Sequence, residues 1–320
     1  MPQSSSKYVF GPVPSRRLGR SLGVDLIPPK TCTLDCVYCQ IGRTTEKSIE
    51  RREFVPLEEV AAEIARVLAG GVRPDYITLA GSGEPTLYSR LGELIDRIHS
   101  LTDVPVDVLT NGTLLFDPRV RDEVARADLI VPSLDAGDAA TFERINRPAA
   151  AIGFDQYIDG LREFCRQHGS KVWLEVFIVQ GINDSDEAVG WIAAIANDLG
   201  VARIQLNTAV RPPAEPDVQA VTPQRLAEIA DRFEPRAEVV ADFPEKEYTG
   251  QFQGGVEAVL ETLRRRPCTL DDLAAGLDMH RPEIAKVLEK LLRAGRIAGE
   301  QRQGRLYYLA VREKPAEKRT

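Results

Sequence analysis

Short apolar runs alternate with amphipathic segments from Ser21 to about Ala241. The apolar runs are short and rich in β-branched residues, as buried strands are, and the intervening segments carry apolar residues at helical spacing. The predicted strands are SLGVDLI, DYITLAG, VDVLT, DLIVPSLD, KVWLEVFIV, ARIQLN and a weaker AEVVAD. Strands that alternate with helices form a parallel sheet with right-handed crossovers, so the pattern predicts an α/β fold.

Several of the intervening helices have clear start signals. Asp117 and Thr222 each stand directly before a proline, which is the pattern of an N-cap followed by proline in the first turn. Asp184 and Ser185 open a further helix, which Gly200 can end in the left-handed conformation. The predicted ligand-binding motifs come just after the strands, where parallel α/β folds bind their ligands.

The pattern changes after the segment EKEYTGQFQGG, which looks like a linker. Three helices are predicted next, EAVLETLRRR, DDLAAGL and RPEIAKVLEKLLRAG. The segment RIAGEQRQGRLYYL after them is predicted to form two strands. Thr269 and Asp272 resemble a capping box for the second helix. This order predicts a small winged helix-turn-helix domain. The predicted divisions are an N-terminal extension 1–20, an α/β domain 21–243, a linker 244–254, a winged-helix domain 255–311 and a flexible tail 312–320.

Composition and charge are those of an ordinary globular protein. Hydrophobic residues make up 43% of the 320 residues, and the formal charge of −7 argues against a surface coated for nucleic acid. No apolar run approaches the ~20 residues that span a bilayer, and the N-terminus lacks the pattern of a secretion signal. We therefore expect a cytoplasmic protein.

Three of the five cysteines, Cys32, Cys36 and Cys39, lie within eight residues in the segment KTCTLDCVYCQIG. Clustered cysteines in a long chain with an odd cysteine count indicate metal binding rather than disulfides. A structural zinc site needs four protein ligands, whereas His99 is the only other His or Cys within a hundred residues after Cys39. A cubane [4Fe–4S] cluster on three cysteines leaves one iron open for an exogenous ligand. The alternative is a zinc knuckle that a distant residue completes.

The spacing CxxxCxxC, with Tyr38 before the last cysteine, resembles the signature of the radical S-adenosylmethionine (SAM) superfamily. The resemblance implies an incomplete (β/α)6 barrel of the TIM type over about Ser21 to Ala241. It also implies one [4Fe–4S] cluster and SAM as cofactors, with the methionyl group of SAM on the open iron. An electron from the cluster would cleave SAM to a 5′-deoxyadenosyl radical that abstracts hydrogen from a substrate.

Further motifs fit this resemblance in chain order. The segment after the second strand is similar to the superfamily motif that binds the SAM amino group, and it comprises Gly81, Ser82, Gly83, Glu84 and Pro85. By the same resemblance, the turn at Thr110 and Asn111 presents polar groups to SAM. Ser133 and Asp135 would lie near its sugar. Asp is also a common N-cap, so Asp135 either binds the sugar or caps the next helix.

Two groups of residues are candidates for substrate contact. Glu175 and Phe177 lie on one face of the fifth strand, with Gln205 and Asn207 on the sixth, and one face of each strand lines the barrel. The segment FGPVPSRRLGRSLGVDLIP resembles a subgroup of iron–sulfur oxidoreductases related to wyosine-forming tRNA enzymes and, more distantly, to glycyl-radical activases. Its arginines either bind an anionic substrate or the SAM carboxylate or form a solvated basic turn. They are Arg16, Arg17 and Arg20.

The chain also departs from these relatives, because it has no cysteines for a second cluster. The two remaining cysteines, Cys165 and Cys268, are not at ligand spacing and are predicted to be buried or incidental. Pyruvate condensation on a second cluster and an auxiliary electron relay are therefore in doubt.

The predicted function is hydrogen abstraction from an unidentified substrate, with tRNA first and a glycyl-radical protein second. A regulator that joins an iron–sulfur sensor to a winged helix is the alternative from another class. The resemblance implies a reductase or flavodoxin-type electron donor and no membrane partner. Residues 251–320 carry 14 Lys/Arg against 10 Asp/Glu, a net of +4. Nucleic acid, a protein or the catalytic domain itself is the expected partner of this region.

Overall fold

A computed structural model describes residues 7–15, 17–240, 256–277, 279, 281–302 and 304–311. Arg16, the predicted linker 244–254 and the predicted tail 312–320 lie outside the described residues. The strands are β1 Val9–Ser15, β2 Gly19–Asp25, β3 Thr31–Cys32, β4 Glu46–Lys47, β5 Tyr76–Ala80, β6 Val106–Thr110, β7 Leu129–Pro132, β8 Trp173–Ile178, β9 Arg203–Thr208, β10 Glu238–Val239, β11 Ile297–Arg302 and β12 Arg305–Ala310. The α-helices are α1 Leu57–Ala69, α2 Leu91–His99, α3 Pro118–Val124, α4 Ala139–Ile145, α5 Phe154–His168, α6 Asp186–Asp198, α7 Pro223–Ala230, α8 Val256–Arg265, α9 Leu270–Leu277 and α10 Arg281–Arg293.

The main sheet is a partial parallel barrel. One sheet has the order β1-β2-β5-β6-β7, and a second has the order β10-β9-β8. Isolated bridges from β7 and the residue after it to Val172 and Glu175 join the two sheets into one curved wall. The pairings from β2 to β10 are parallel. The predicted α/β fold and partial barrel are confirmed.

The segment 1–20, predicted as an extension, contributes a strand to the barrel wall. β1 pairs antiparallel with β2 through a turn at Arg17 and Leu18, with Ser15 opposite Gly19. Its Gly11-Pro12, Pro14 and Gly19 make the segment read as loop, since Gly and Pro are the usual markers of turns. Pairing with β2 and packing against the C-terminal helices override that local signal.

Side chains alternate between the two faces of the barrel wall. Leu22, Ile77 and Val108 point outward and are buried under the helices, in the main apolar core. The inward side chains are largely polar at mid-height, where the hydroxyls of Ser21 and Thr78 meet and Thr78 Oγ1 donates to Asp107 Oδ1 at 2.7 Å. A polar interior in a barrel of this size is suited to ligands rather than to a filled core.

The predicted helix starts are confirmed by cap geometry. Asp117 accepts from Arg119 N, Thr222 from Arg225 N and Ser185 from Ala188 N. Gly200 comes directly after Leu199, the C-cap of α6, and has φ +63°, as predicted for a left-handed helix end.

The C-terminal region, residues 256–311, has its own apolar core formed by α8, α9, α10 and β11. β11 and β12 form an antiparallel hairpin. The backbone N of Thr269 donates to Asp272 Oδ2 and Asp272 N donates to Thr269 Oγ1, at 3.0 and 3.1 Å, so the predicted capping box is present. The element order is the predicted one, and membership of the winged-helix class stays a prediction. No helix among the described residues is long and apolar enough to cross a membrane.

We expect the stability of the protein to depend on pH through Asp107, which is buried in β6. Burial raises its pKa to about 7, and Oδ2 has no hydrogen-bond partner within the described structure. The folded state therefore holds the proton more tightly than the unfolded chain. As pH rises from about 4 to about 7, the native state should lose up to about 4 kcal/mol through this group. We expect Asp107→Asn to stabilise the protein more at pH 8 than at pH 5, as measured by urea denaturation.

The control is Asp103→Asn, which changes an exposed aspartate in a loop before the same strand. It should have the same small effect at both pH values. Equal effects of Asp107→Asn at pH 5 and pH 8 would show that Asp107 titrates normally in the folded state.

Candidate active site

The three clustered cysteines lie at the carboxyl end of the barrel strands. Cys32 ends β3, and Cys36 and Cys39 follow in the next loop. Burial is the main cause that raises the pKa of all three thiols, to about 12 for Cys32, and each of them also feels the charge of a neighbouring cysteine or carboxylate. Three thiolates at such a place are stable only against a positive centre.

N–H groups surround the sulfur atoms. Leu34 N and Asn111 Nδ2 lie 3.4 and 3.5 Å from Cys32 Sγ, and Asn146 Nδ2 lies 3.4 Å from Cys36 Sγ. Hydrogen bonds to the sulfurs are one way in which proteins tune iron–sulfur clusters. Asn146 is far from the motif in sequence, and the sequence analysis missed it because no local signal marks it.

The three clustered cysteines supply one ligand fewer than a structural zinc site, which needs four protein ligands in a closed tetrahedron. The cysteines of a cubane bind separate iron atoms at its corners, and three of them leave one iron open. The donor set is therefore one that a [4Fe–4S] cluster can use.

Backbone hydrogen bonds join the Gly81–Pro85 loop to the cysteine loop. Lys30 N donates to Ser82 O at 2.6 Å, and Glu84 N donates to Thr31 O at 3.1 Å. A Cβ on Gly83 would collide with Thr31 O, and one on Gly81, which has φ +114°, would collide with the Asp25 carboxylate. The glycines thus allow close approach of protein to protein.

The carboxylate of Glu84 joins two loops through hydrogen bonds. Its Oε1 accepts from Thr86 N, Thr86 Oγ1 and Thr110 Oγ1 at 3.0, 2.7 and 2.6 Å, and its Oε2 accepts from Asn111 N at 2.8 Å. Burial raises the pKa of this carboxyl, and the four donors oppose the rise. A carboxylate has about four acceptor sites, two on each oxygen. Oε2 therefore retains room for one more donor.

The turn after β6 also reaches the cysteine loop. Asn111 Nδ2 donates to Thr33 Oγ1 at 2.7 Å, and Asn111 Oδ1 accepts from Thr113. Thr110 Oγ1 accepts from Gly112 N as well as donating to Glu84. The structure thus brings together the predicted Gly81–Pro85 loop, Thr110 and Asn111.

Asp135 is not the cap of the next helix. The N-cap of α4 is Asp138, which accepts from Thr141 N at 2.9 Å. Asp135 is buried, and its carboxylate accepts from Tyr38 Oη, from Asn146 Nδ2 at 2.8 Å and from Phe177 N at 2.9 Å. Burial raises its pKa to about 6. The capping alternative is wrong because α4 begins later in the chain, and its N-cap is the residue three positions after Asp135.

The aromatic residue of the cysteine motif lies against the fifth barrel strand. The ring of Tyr38 stacks on Phe177 with centroids 3.8 Å apart and an interplanar angle of 9°. Ser133 is nearby, and its carbonyl oxygen accepts from Tyr157 Oη. These contacts place a flat aromatic surface inside the barrel beside the cysteines.

The predicted arginines separate into different environments. Arg17 forms a two-pronged ion pair with Glu175, at 2.6 and 3.1 Å, and Asn207 Nδ2 donates to Glu175 Oε1 at 2.9 Å. The Arg20 backbone N donates to Asp75, and its Nε is buried without a partner in the described structure. Arg16 lies outside the described residues. Arg17 is therefore not a solvated turn residue, because its side chain enters the barrel from the β1–β2 turn.

The two other cysteines are buried away from this site. Cys165 lies inside α5, where burial raises its pKa to about 12. Cys268 pairs through its backbone with Tyr308 in the C-terminal region. Both positions agree with the prediction of buried thiols.

Known proteins similar to this chain support the family and the fold. A family model for the Radical SAM superfamily matches residues 26–191. A GTPase Obg of Brachyspira hyodysenteriae is 37% identical over 95% of this chain, which spans only 45% of that protein. A UPF0026 protein of Helicobacter pylori is 32% identical, over 91% of this chain and 94% of that protein. The solved structure of a radical SAM methyltransferase from Sphaerobacter thermophilus covers 71% of this chain and 67% of its own, with TM-score 0.52 and 18% identity.

The partial barrel and the clustered thiols define an enzyme of the iron–sulfur type. The chain belongs to the radical SAM superfamily, since the family model matches more than half of it. Enzymes of this superfamily use a [4Fe–4S] cluster and SAM, and they need an electron donor.

Proposed function

We propose that this protein binds one [4Fe–4S] cluster through Cys32, Cys36 and Cys39 and cleaves SAM reductively to abstract hydrogen from a substrate. The observation that carries the proposal is the group of three thiols with N–H donors around two of them. When bound, the cluster supplies an electron and an open coordination position. The residues of the chain bind, orient and shield the reacting groups.

Around this centre, several residues have a proposed task. Glu84 Oε2 accepts from the SAM ammonium, since it has one site left after Asn111 N. The Gly81–Pro85 loop presents its backbone beside it. Tyr38 and Phe177 offer an apolar surface to the adenosyl group, and Asp135 holds Tyr38 in place.

The substrate site that we propose is the polar interior next to this surface. Arg17, Glu175 and Asn207 lie there in one hydrogen-bonded group. Glu175 lies two positions before Phe177 on the same face of β8, so the group is near the aromatic surface. It suits a polar substrate that exchanges hydrogen bonds with both a cation and a carboxylate.

The test of the proposal is SAM cleavage under oxygen-free conditions. Reconstituted, reduced protein should release 5′-deoxyadenosine from SAM. With deuterated substrate pools, deuterium in the product would identify the substrate. Protein that contains four irons and releases no 5′-deoxyadenosine would contradict the proposal.

We propose RNA as the substrate class, because α10 carries two exposed lysines. Lys286 and Lys290 are one turn apart on the exposed face, and the region carries net positive charge. A tRNA 4-demethylwyosine synthase of Pyrococcus abyssi is 23% identical over 48% of this chain and 50% of its own. On this proposal α10 contacts RNA phosphates, as basic helices do.

We expect the double variant Lys286→Glu/Lys290→Glu to weaken tRNA binding about tenfold or more, with a shallower salt dependence. Filter binding at several salt concentrations measures this. The control is Arg162→Glu/Arg166→Glu on α5, which changes the same charge at the same spacing on an exposed face of the barrel. Equal affinities of wild type and the α10 variant would contradict an RNA role for α10.

Other activities named among the relatives fit this chain less well. The sequence contains no G-x4-GK[ST] segment, so the name GTPase is not carried over to it. Activation of a glycyl-radical protein remains the second substrate proposal. A regulator would not require the barrel, and the superfamily consists of enzymes.

A further inference from the structure

The C-terminal region packs against the first strand of the partial barrel and against a loop near the cysteines. The barrel wall runs from β1 to β10, and no pairing between these two strands is present among the described residues. α8 and α9 pack against β1. Arg211, in the loop after β9, lies 3.9 Å from Asp272 of α9. The region therefore contacts the barrel at its first strand and at the loop that follows β9.

Arg265, the last residue of α8, forms a shielded ion pair with the barrel. Its Nε donates to Asp25 Oδ2 at 2.6 Å, and the two side chains are 13% and 15% exposed. The guanidinium lies 4.2 Å from the ring centroid of Phe10 on β1. Its Nη1 donates to Glu261 Oε2 at 2.9 Å. Contacts with a strand, a helix and an aromatic ring therefore limit its rotation.

The other oxygen of Asp25 holds the proposed SAM loop. Asp25 Oδ1 accepts from Ser82 N at 2.8 Å and from Ser82 Oγ at 3.3 Å. Only glycine fits at position 81, because a Cβ there would collide with this carboxylate. A continuous path of hydrogen bonds thus runs from Arg265 through Asp25 to Ser82.

A second set of polar contacts links the C-terminal region to the cysteine loop. Arg211 is 4% exposed, and its Nη1 donates to Gln40 Oε1 at 3.2 Å. Gln40 follows the third cysteine directly. Asp272 is 2% exposed and lies 3.9 Å from Arg211, which in turn contacts Gln40. Arg211 thus links α9 to the cysteine loop.

We propose that the C-terminal region supports the SAM site and that Arg265 is a positioning residue for it. The inference rests on the proposed role of the Gly81–Pro85 loop. Arg265 fixes the rotation of the Asp25 carboxylate, and the carboxylate fixes Ser82 and the loop. Without the guanidinium, a shielded carboxylate would lose its partner and turn toward solvent, because an unpaired buried charge is costly.

The test is SAM binding without reductant, measured by calorimetry on cluster-loaded, full-length protein. We expect Arg265→Gln to raise the SAM Kd about tenfold, which corresponds to about 1.4 kcal/mol, with unchanged iron content. Arg265→Lys keeps the charge and should recover most of the affinity. The matched control is the neighbouring Arg264→Gln, whose side chain is 48% exposed and pairs with Glu257 and Glu261 of α8. It should bind SAM as the wild type does.

A second variant keeps the test decisive if Arg265→Gln does not fold. Asp25→Asn retains an oxygen for Ser82 but loses the ion pair, and it should also weaken SAM binding several-fold. If either folded variant binds SAM as the wild type does at equal iron content, Arg265 has no positioning role. A loaded wild type that binds no SAM would instead overturn the proposed function itself and this inference with it.

Discussion

Cys36→Ala is expected to abolish both cluster binding and the release of 5′-deoxyadenosine. The chain offers only three clustered thiols, and no three His, Cys, Asp or Glu side chains in its described part form an alternative single-ion site. Loss of one ligand therefore leaves two, too few to hold a cubane in place. The measurement is iron and sulfide content after reconstitution, followed by 5′-deoxyadenosine release with dithionite and SAM.

The matched control is Cys165→Ala, which removes a thiol from the interior of α5. It should keep a full complement of iron, with at most a modest loss of stability from the smaller side chain. Full 5′-deoxyadenosine release by the Cys36→Ala variant would refute the ligand assignment. A purified wild type that contains stoichiometric zinc would do the same.

Glu84→Ala is expected to destabilise the protein by about 3 kcal/mol or more and to eliminate measurable SAM binding. The substitution removes the acceptor of four donors, three of them from Thr86 and Thr110 and one from Asn111 N. Buried donors left without a partner cost about 1–3 kcal/mol each, and partial rearrangement reduces the sum. Urea denaturation gives the stability, and calorimetry gives the SAM affinity.

Glu84→Gln separates the two roles of this carboxylate. The amide keeps one oxygen for the threonine donors and places an NH2 group against Asn111 N, so we expect a smaller loss of stability. It also removes the charge that would bind the SAM ammonium. We therefore expect the loss of SAM binding free energy to be at least as large as the loss of unfolding free energy. Wild-type SAM affinity in a folded Glu84→Gln variant would show that Glu84 only joins the two loops.

Much of the fold was predictable because its signals are local. The apolar runs that became β5, β6, β8 and β9 are recognised from a few consecutive residues. The caps at Asp117, Ser185 and Thr222 are set by residues within three positions. β1 was missed for the same reason, since its glycines and prolines favour loop until β2 and the C-terminal helices pack against it.

The sequence by itself indicated the class of chemistry, because the CxxxCxxC spacing of Cys32, Cys36 and Cys39 is local and resembles the radical SAM signature. Only the tertiary structure decided what surrounds them. The bond of Asn146 to Cys36 spans 110 positions, and that of Arg265 to Asp25 spans 240. It also decided that Glu84 joins two loops and that Asp135 holds Tyr38. Such pairs leave no periodicity in the chain, because they form only when separate strands and helices pack together.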